Sequence, residues 1–261
     1  MTQVESPPGY DYGVYYRAFH NESPQHVRAM VDAQKEMLTR LLPTPHEGRA
    51  LDVGCGMGFT VLAMRELGYS AVDGIDVDPS QIEASCRLGA NGMLVSDSLD
   101  FLRGRVNTYR LITLLDVLEH VPVSQQLDVI RATHAALQPR GHLIVQVPNA
   151  TFILASRWRY GDFTHHSSFT DHSLSFVLMN AGFHSVTLPP SQVINRPSIK
   201  GLLLSSKERT TFRTRLRRWF VRWFWEQVIR AELPFEDVRR LCFDPNLVAV
   251  AVKAGMPGGG A

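Results

Sequence analysis

Three glycines at alternate positions, Gly54, Gly56 and Gly58, stand between an apolar segment (Ala50, Leu51, Val53) and a helix-like run that begins at Phe59. The apolar segment reads as a buried strand. The glycines allow a sharp turn and a close backbone approach to a ligand, with no Cβ in the way. The spacing is one residue short of the G-x-G-x-x-G dinucleotide fingerprint, and no G-K-[ST] phosphate cradle follows. The expected ligand is therefore a nucleotide-like molecule without a pyrophosphate.

The pattern repeats. Strands are expected at 50–54, 71–76, 92–96, 110–115 and 142–147, with helices at 58–67, 79–87, 97–103 and 124–137 between them. A helix over 23–42 precedes this series, and a helix at 171–181 leads to a strand at 183–188. The last strand is 247–252, Leu-Val-Ala-Val-Ala-Val. Pro79 is expected to open one helix, Ser124 to cap another and Pro139 to stop it. Such alternation predicts an α/β fold: a parallel sheet with helices on both faces, and its ligand site at the carboxyl ends of the strands.

At 261 residues the chain can bury one substantial core. No apolar run reaches the roughly 20 residues that cross a bilayer. Residues 1–8 carry no basic-then-apolar signal segment, and Cys55, Cys86 and Cys242 form neither a disulfide framework nor a zinc pattern. The expectation is a reducing cytoplasm. Charge divides the chain: residues 1–195 hold 14 Lys/Arg against 19 Asp/Glu, whereas residues 196–261 hold 13 against 6.

Carboxylates recur at strand ends. Asp76 closes the second strand before Val77 and is placed to accept hydrogen bonds from ribose hydroxyls, while Asp78 suits the cap of the next helix. Asp97, flanked by Ser96 and Ser98, stands at the third strand end, where it could read an adenine amino group. Leu115 closes the fourth.

Taken together, 51–58 (Leu-Asp-Val-Gly-Cys-Gly-Met-Gly), Gly74-Ile75-Asp76, Ser96-Asp97 and 111–116 resemble the class I S-adenosylmethionine-dependent methyltransferases. The resemblance covers roughly residues 25–188 and the final strand. It implies a seven-stranded, Rossmann-like sheet whose last strand runs antiparallel. It also implies that Asp52 and the Gly54–Gly58 turn, with Cys55 and Gly56 in it, hold the methionine end of the cofactor, Asp76 the ribose and Asp97 the adenine, with Val77, Ser98 and Leu115 completing the cofactor-binding set. The sulfonium already activates the methyl group, so the enzyme aligns an in-line attack and removes a proton.

A second constellation follows the fourth strand. If the turn there is helical, Asp116, Glu119 and His120 share a face. A polar cluster, Tyr160-Gly161-Asp162-Phe163-Thr164-His165-His166, would face the same cleft. The Asp-x-x-Glu-His turn is similar to the Glu-x-x-Glu-His metal site of quinone-biosynthesis O-methyltransferases. With His165 five residues before Thr170, it also resembles small-RNA 2′-O-methyltransferases. The stretch 148–183 looks like methyltransferases of polysaccharide and secondary-metabolite pathways. These resemblances imply Mg²⁺ or Mn²⁺ held by Asp116, Glu119, His120 and His165. Alternatively, His120 or His165, with Glu119 beside them, serves as general base without a metal.

From Arg209 to Leu233 the chain is arginine-rich and aromatic at helical spacing (Phe212, Leu216, Trp219, Phe220, Trp223). Three readings stand: packing on the domain or on a twin subunit as a homodimer, peripheral contact with an anionic membrane at the inner surface, or RNA backbone binding.

The expected organisation is an arm or lid (1–22) carrying Tyr10, Tyr12, Tyr15 and Tyr16, and a methyltransferase domain (23–188 with 243–254). A helical basic insertion (189–242) and a disordered tail (255–261) complete it. The expected function is O-methylation of a sugar, glycan or related natural-product hydroxyl. RNA 2′-O-methylation is the enzymatic alternative, and a non-catalytic cofactor-binding partner module is the other.

Overall fold

The computed structural model describes residues 19–189, 212–232 and 241–255. Helix α1 (Pro24–Leu41) leads in, with Pro24 at its first turn and the Ser23 hydroxyl accepting the His26 N–H. Four strand–helix units follow: β1 (Arg49–Val53), α2 (Phe59–Leu67), β2 (Ala71–Asp76), α3 (Pro79–Arg87), β3 (Leu94–Val95), α4 (Ser98–Leu102), β4 (Tyr109–Leu115) and α5 (Val123–Ala136). Then come β5 (Leu137–Pro148), α6 (Ala155–Gly161), α7 (Asp171–Asn180), β6 (Ser185–Thr187), α8 (Phe212–Glu232) and β7 (Asn246–Val252).

The seven strands run in the order β3-β2-β1-β4-β5-β7-β6. The first five are parallel, and β7 inserts antiparallel between β5 and β6. This is the expected Rossmann-like sheet with its antiparallel last strand.

Alternation along the strands divides the core into two faces. Leu51, Val53, Ile112, Leu114, Leu143 and Val145 pack towards α4, α5 and α7. Ala50, Leu111, Ile144 and Val250 pack towards α1, α2 and α3. Each fully buried leucine or isoleucine there contributes about 1.5–3 kcal/mol through removal from water. Because both faces are covered, β4 is buried on both sides from Leu111 to Leu114, its apolar run broken only by the polar but buried Thr113.

Two local expectations are corrected, and one helix was not expected. Helix α5 starts one residue before Ser124, behind Pro122, and no side chain caps it. Strand β5 begins at Leu137, so Pro139 lies inside it rather than ahead of it. Its pairing with β4 shifts register between Tyr109 and Leu111, and Pro is tolerated at such irregular strand starts. Helix α6 is uncapped and has no buried residue, which left it without a legible sequence signal.

The tyrosine-rich arm, the tail beyond Gly255, and segments 190–211 and 233–240 lie outside the described residues.

Candidate active site

The carboxyl ends of β1, β2, β4 and β5 share one edge of the sheet, and the polar side chains gather there. After Val53 the chain turns through Gly54, Gly56 and Gly58 at φ of 70°, 48° and 82°. A Cβ on Gly54 would stand 2.3 Å from Val117 Cγ2, and one on Gly58 would stand 2.6 Å from Ala90 Cβ. Both positions therefore require glycine for backbone conformation and for space.

Asp76 anchors this turn. One of its oxygens accepts the Gly56 N–H and the other the Asp78 N–H, each at 2.9 Å. Burial still holds its carboxyl above the usual range, against those bonds. Asp52, 2 % exposed, accepts the Thr113 hydroxyl at 2.5 Å. Burial pushes its carboxyl up to about 7. Such a group favours an arriving cation, which would stabilise its ionised form.

Asp97 does another job as well: its Oδ1 caps α4 by accepting the Leu99 and Asp100 N–H groups. Ser98 is the first residue of that helix. Val77 and Leu115 are half-buried at the same edge. Cys55 is buried, and desolvation drives its thiol far above its ordinary pKa, so it is a packing residue rather than a nucleophile.

The second constellation forms, with one change of membership. The turn after β4 is a short 3₁₀ helix, Leu118–His120, and the expected helical face does not extend back to Asp116. Asp116 sits at φ 56° and turns its carboxylate to Gln146 Nε2 (2.8 Å) and Asn246 Nδ2 (3.4 Å). Solvent reaches its side chain, and the surrounding protein raises its carboxyl above the usual range.

Glu119, His120 and His165 come together instead, one candidate ligand atom from each lying within 4.8 Å of the others. The imidazole rings of the two histidines stand 4.6 Å apart, tilted by 68°. His165 Nε2 is 4.0 Å from Glu119 Oε1. Glu119 has no exposure, and neither carboxylate oxygen has a hydrogen-bond partner; His165 Nδ1 is likewise buried without one. Burial, reinforced by Asp116, raises the Glu119 carboxyl well above its usual range. Burial lowers both histidines, His120 to about 4 with His165 as the next cause. A buried carboxylate with both oxygens orphaned is costly unless something satisfies it. One carboxylate and two neutral imidazoles fit a divalent first-row cation with open positions.

Sequence reasoning placed Asp162 and Thr164 in the polar cluster without giving either a role, and did not single out Gln126. The Thr164 hydroxyl lies 2.6 Å from Asp162 Oδ1 and 2.9 Å from His120 Nδ1. A carboxylate only accepts, so Thr164 donates to Asp162 and accepts from Nδ1–H of His120. Gln126 Nε2 reaches the Leu118 and Val121 carbonyls and Ser167 Oγ (3.0, 3.1 and 2.8 Å), tying the 3₁₀ turn to the histidine loop. The Asp-x-Thr spacing was the one legible signal, since an Asp accepting the N–H two residues on is a common turn; Thr164 N–H is 2.9 Å from Asp162.

A glycine turn on β1, an anchoring carboxylate on β2 and a polar cleft beyond β4 define the class of S-adenosylmethionine-dependent methyltransferases. Residues 26–188 match the sequence model of a family described as a methyltransferase domain, and the chain belongs to that family. It is 28% identical over 111 residues to the mitochondrial ubiquinone biosynthesis O-methyltransferase of Schizosaccharomyces pombe, covering 40% of this chain and 39% of that protein. It is 34% identical over 116 residues to the ubiquinone biosynthesis O-methyltransferase of Histophilus somni, covering 41% and 47%. The matched stretch spans less than half of either relative's length. A crystal structure of a SAM-dependent methyltransferase from Archaeoglobus fulgidus shares the fold: TM-score 0.65, 19% identity, 93% of this chain and 99% of that chain covered.

Proposed function

We propose that the chain transfers the methyl group of S-adenosylmethionine to a hydroxyl of a small-molecule acceptor, with a divalent cation held by Glu119, His120 and His165. The orphaned, buried carboxylate of Glu119 between two neutral histidines carries this reading. S-adenosylmethionine supplies a methyl group already activated on sulfur. The glycine turn and Asp52 receive its methionine end, and Asp76 its ribose. A bound cation would acidify the acceptor hydroxyl and orient it.

Burial lowers both histidines below the ordinary imidazole value, which makes each a poorer base towards a hydroxyl. A metal ligand, by contrast, must be neutral, and that is the state burial enforces. The ligand role is therefore preferred to the general-base role. Two imidazoles in the donor set favour Mn²⁺ over Mg²⁺.

A cation that chelates an acceptor favours adjacent oxygens. The relatives named for ubiquinone biosynthesis support a catechol-like ring as that acceptor. A sugar with vicinal hydroxyls is the second reading, supported by Trp158, Tyr160 and Phe163, which are exposed flanking the histidine loop and can stack on a ring of either kind.

The test is methyl transfer from labelled S-adenosylmethionine to catechols and to vicinal-diol sugars, before and after chelation. Activity lost in chelator and restored by Mn²⁺, with Glu119→Gln inactive, is the expected result. Full activity in chelator together with an active Glu119→Gln variant would refute the metal role.

A further inference from the structure

Helix α8 presents its aromatic stripe the opposite way from that expected of a packing helix. Its inner side is Arg222, Trp225, Glu226 and Ile229, set against Leu241 and Phe243. Phe220 and Phe224 are 57% and 51% exposed, and Leu216 and Trp223 are exposed beside them. Positions 213, 217, 220 and 224 share one face of a helix, so Arg213 and Arg217, both exposed, extend the apolar stripe with positive charge. Glu226, by contrast, is buried and paired with Arg222 at 2.9 Å. The described outer surface of the helix is thus apolar and basic, with no acidic side chain.

We propose that this outer face of α8 docks in the plane of an anionic lipid surface. Phe and Trp suit the headgroup boundary, and arginine suits the anionic headgroups. No helix among the described residues is long and apolar enough to cross a membrane, so the contact is interfacial. A second copy of the chain is the poorer occupant: it would bring another set of arginines to a face whose described residues include no acid to meet them. The helix is also tied to the catalytic edge. Trp225 Nε1 donates to the Thr151 carbonyl at 3.4 Å, two residues beyond Asn149 at the end of β5. This surface goes beyond the methyl-transfer reading and does not depend on it.

The experiment is co-sedimentation of the full chain with phosphatidylcholine vesicles, with and without phosphatidylglycerol. It reads binding without turnover, so it succeeds or fails independently of the acceptor assignment. Binding is expected to the mixed vesicles alone, and to be lost near 1 M salt, where the screening length falls to about 3 Å. Each arginine at an anionic surface contributes about a fivefold factor, so Arg213→Gln/Arg217→Gln should lower partitioning about 25-fold. Phe220→Ser/Phe224→Ser should do so by removing the apolar anchor, with thermal melts matching wild type because these side chains are exposed. Absence of binding to the mixed vesicles in low salt overturns the proposal. So does equal binding to both kinds of vesicle. A concentration-dependent dimer dispersed by the Phe variants, or salt-sensitive retention on single-stranded RNA, in either case without vesicle binding, assigns the face to that other partner.

Discussion

A single proton position governs the usefulness of His120. The Thr164 hydroxyl, itself held by Asp162, fixes the orientation of the His120 ring by accepting from Nδ1–H. Thr164→Val keeps the shape and removes that acceptor. It should cost about 10- to 100-fold in Mn²⁺ affinity or turnover, the usual effect of losing a group behind a ligand, and Thr164→Ser should restore most of it. The ¹⁵N signature of the His120 ring reads the tautomer directly: a change in the Val variant and none in the Ser variant is the expected pattern. A purely packing role for Thr164 would leave the ring spectrum unchanged.

Asp52 makes a second prediction at the same scale. Its folded pKa, about 7, lies above the unfolded value of 3.8, so the native state binds more protons between those limits. Stability contributed by the neutral form is then present below about pH 4 and lost as pH rises to about 7. Asp52→Asn removes that loss. In the ligand-free protein its stability relative to wild type should increase from pH 4 to pH 7, by an amount of order 4 kcal/mol from a shift of about three units. Urea unfolding at the two pH values measures the difference. A constant difference would mean that Asp52 is ionised throughout and not penalised by burial.

At the scale of elements, the site is two loops held together from below. His166 N–H donates to the Glu119 carbonyl at 2.7 Å, and Gln126 on α5 bonds both the 3₁₀ turn and Ser167. Gln126→Leu preserves helix and volume but removes the tie. It leaves the part-buried Val121 carbonyl and Ser167 Oγ without this donor, while the Leu118 carbonyl keeps the Val121 N–H, so a loss of about 1–3 kcal/mol is expected. Hydrogen exchange at His166 should quicken while β4 and β5 stay protected. Unchanged exchange there would show that the two loops are held by other contacts.

The same scale explains what was legible. Strand β7 is a nearly continuous apolar run, β1 and β4 are mostly apolar, β2 ends at Asp76 just ahead of Pro79, and α1 and α3 carry a proline at the first turn, so their limits could be read almost to the residue. The fate of Asp116 could not. Its spacing to Glu119 and His120 fits an α-helical face, but the chain leaves β4 through a left-handed residue into a 3₁₀ turn. Periodicity does not encode that turn. The Asp162–Thr164–His120 chain joins residues 44 apart, and the contact exists only once the sheet has brought the ends of β4 and β5 together. The direction of the α8 stripe was equally hidden: its aromatic spacing fits either face, and burial of Arg222 with Glu226 decides which side packs.

For the whole molecule, the sheet serves to bring two constellations to one edge: a glycine turn anchored by Asp76, and a carboxylate–imidazole cluster beyond β4. Both matter only if the first one clasps the methyl donor. Titration calorimetry of the purified chain with S-adenosylhomocysteine, the demethylated product, tests this most directly. One site per chain is expected, with binding abolished in Gly54→Ala, where the added Cβ would stand 2.3 Å from Val117 Cγ2 in a φ 70° turn. A well-folded wild-type protein that gives no binding heat with either that product or S-adenosylmethionine across a range of temperatures would contradict the account at its root.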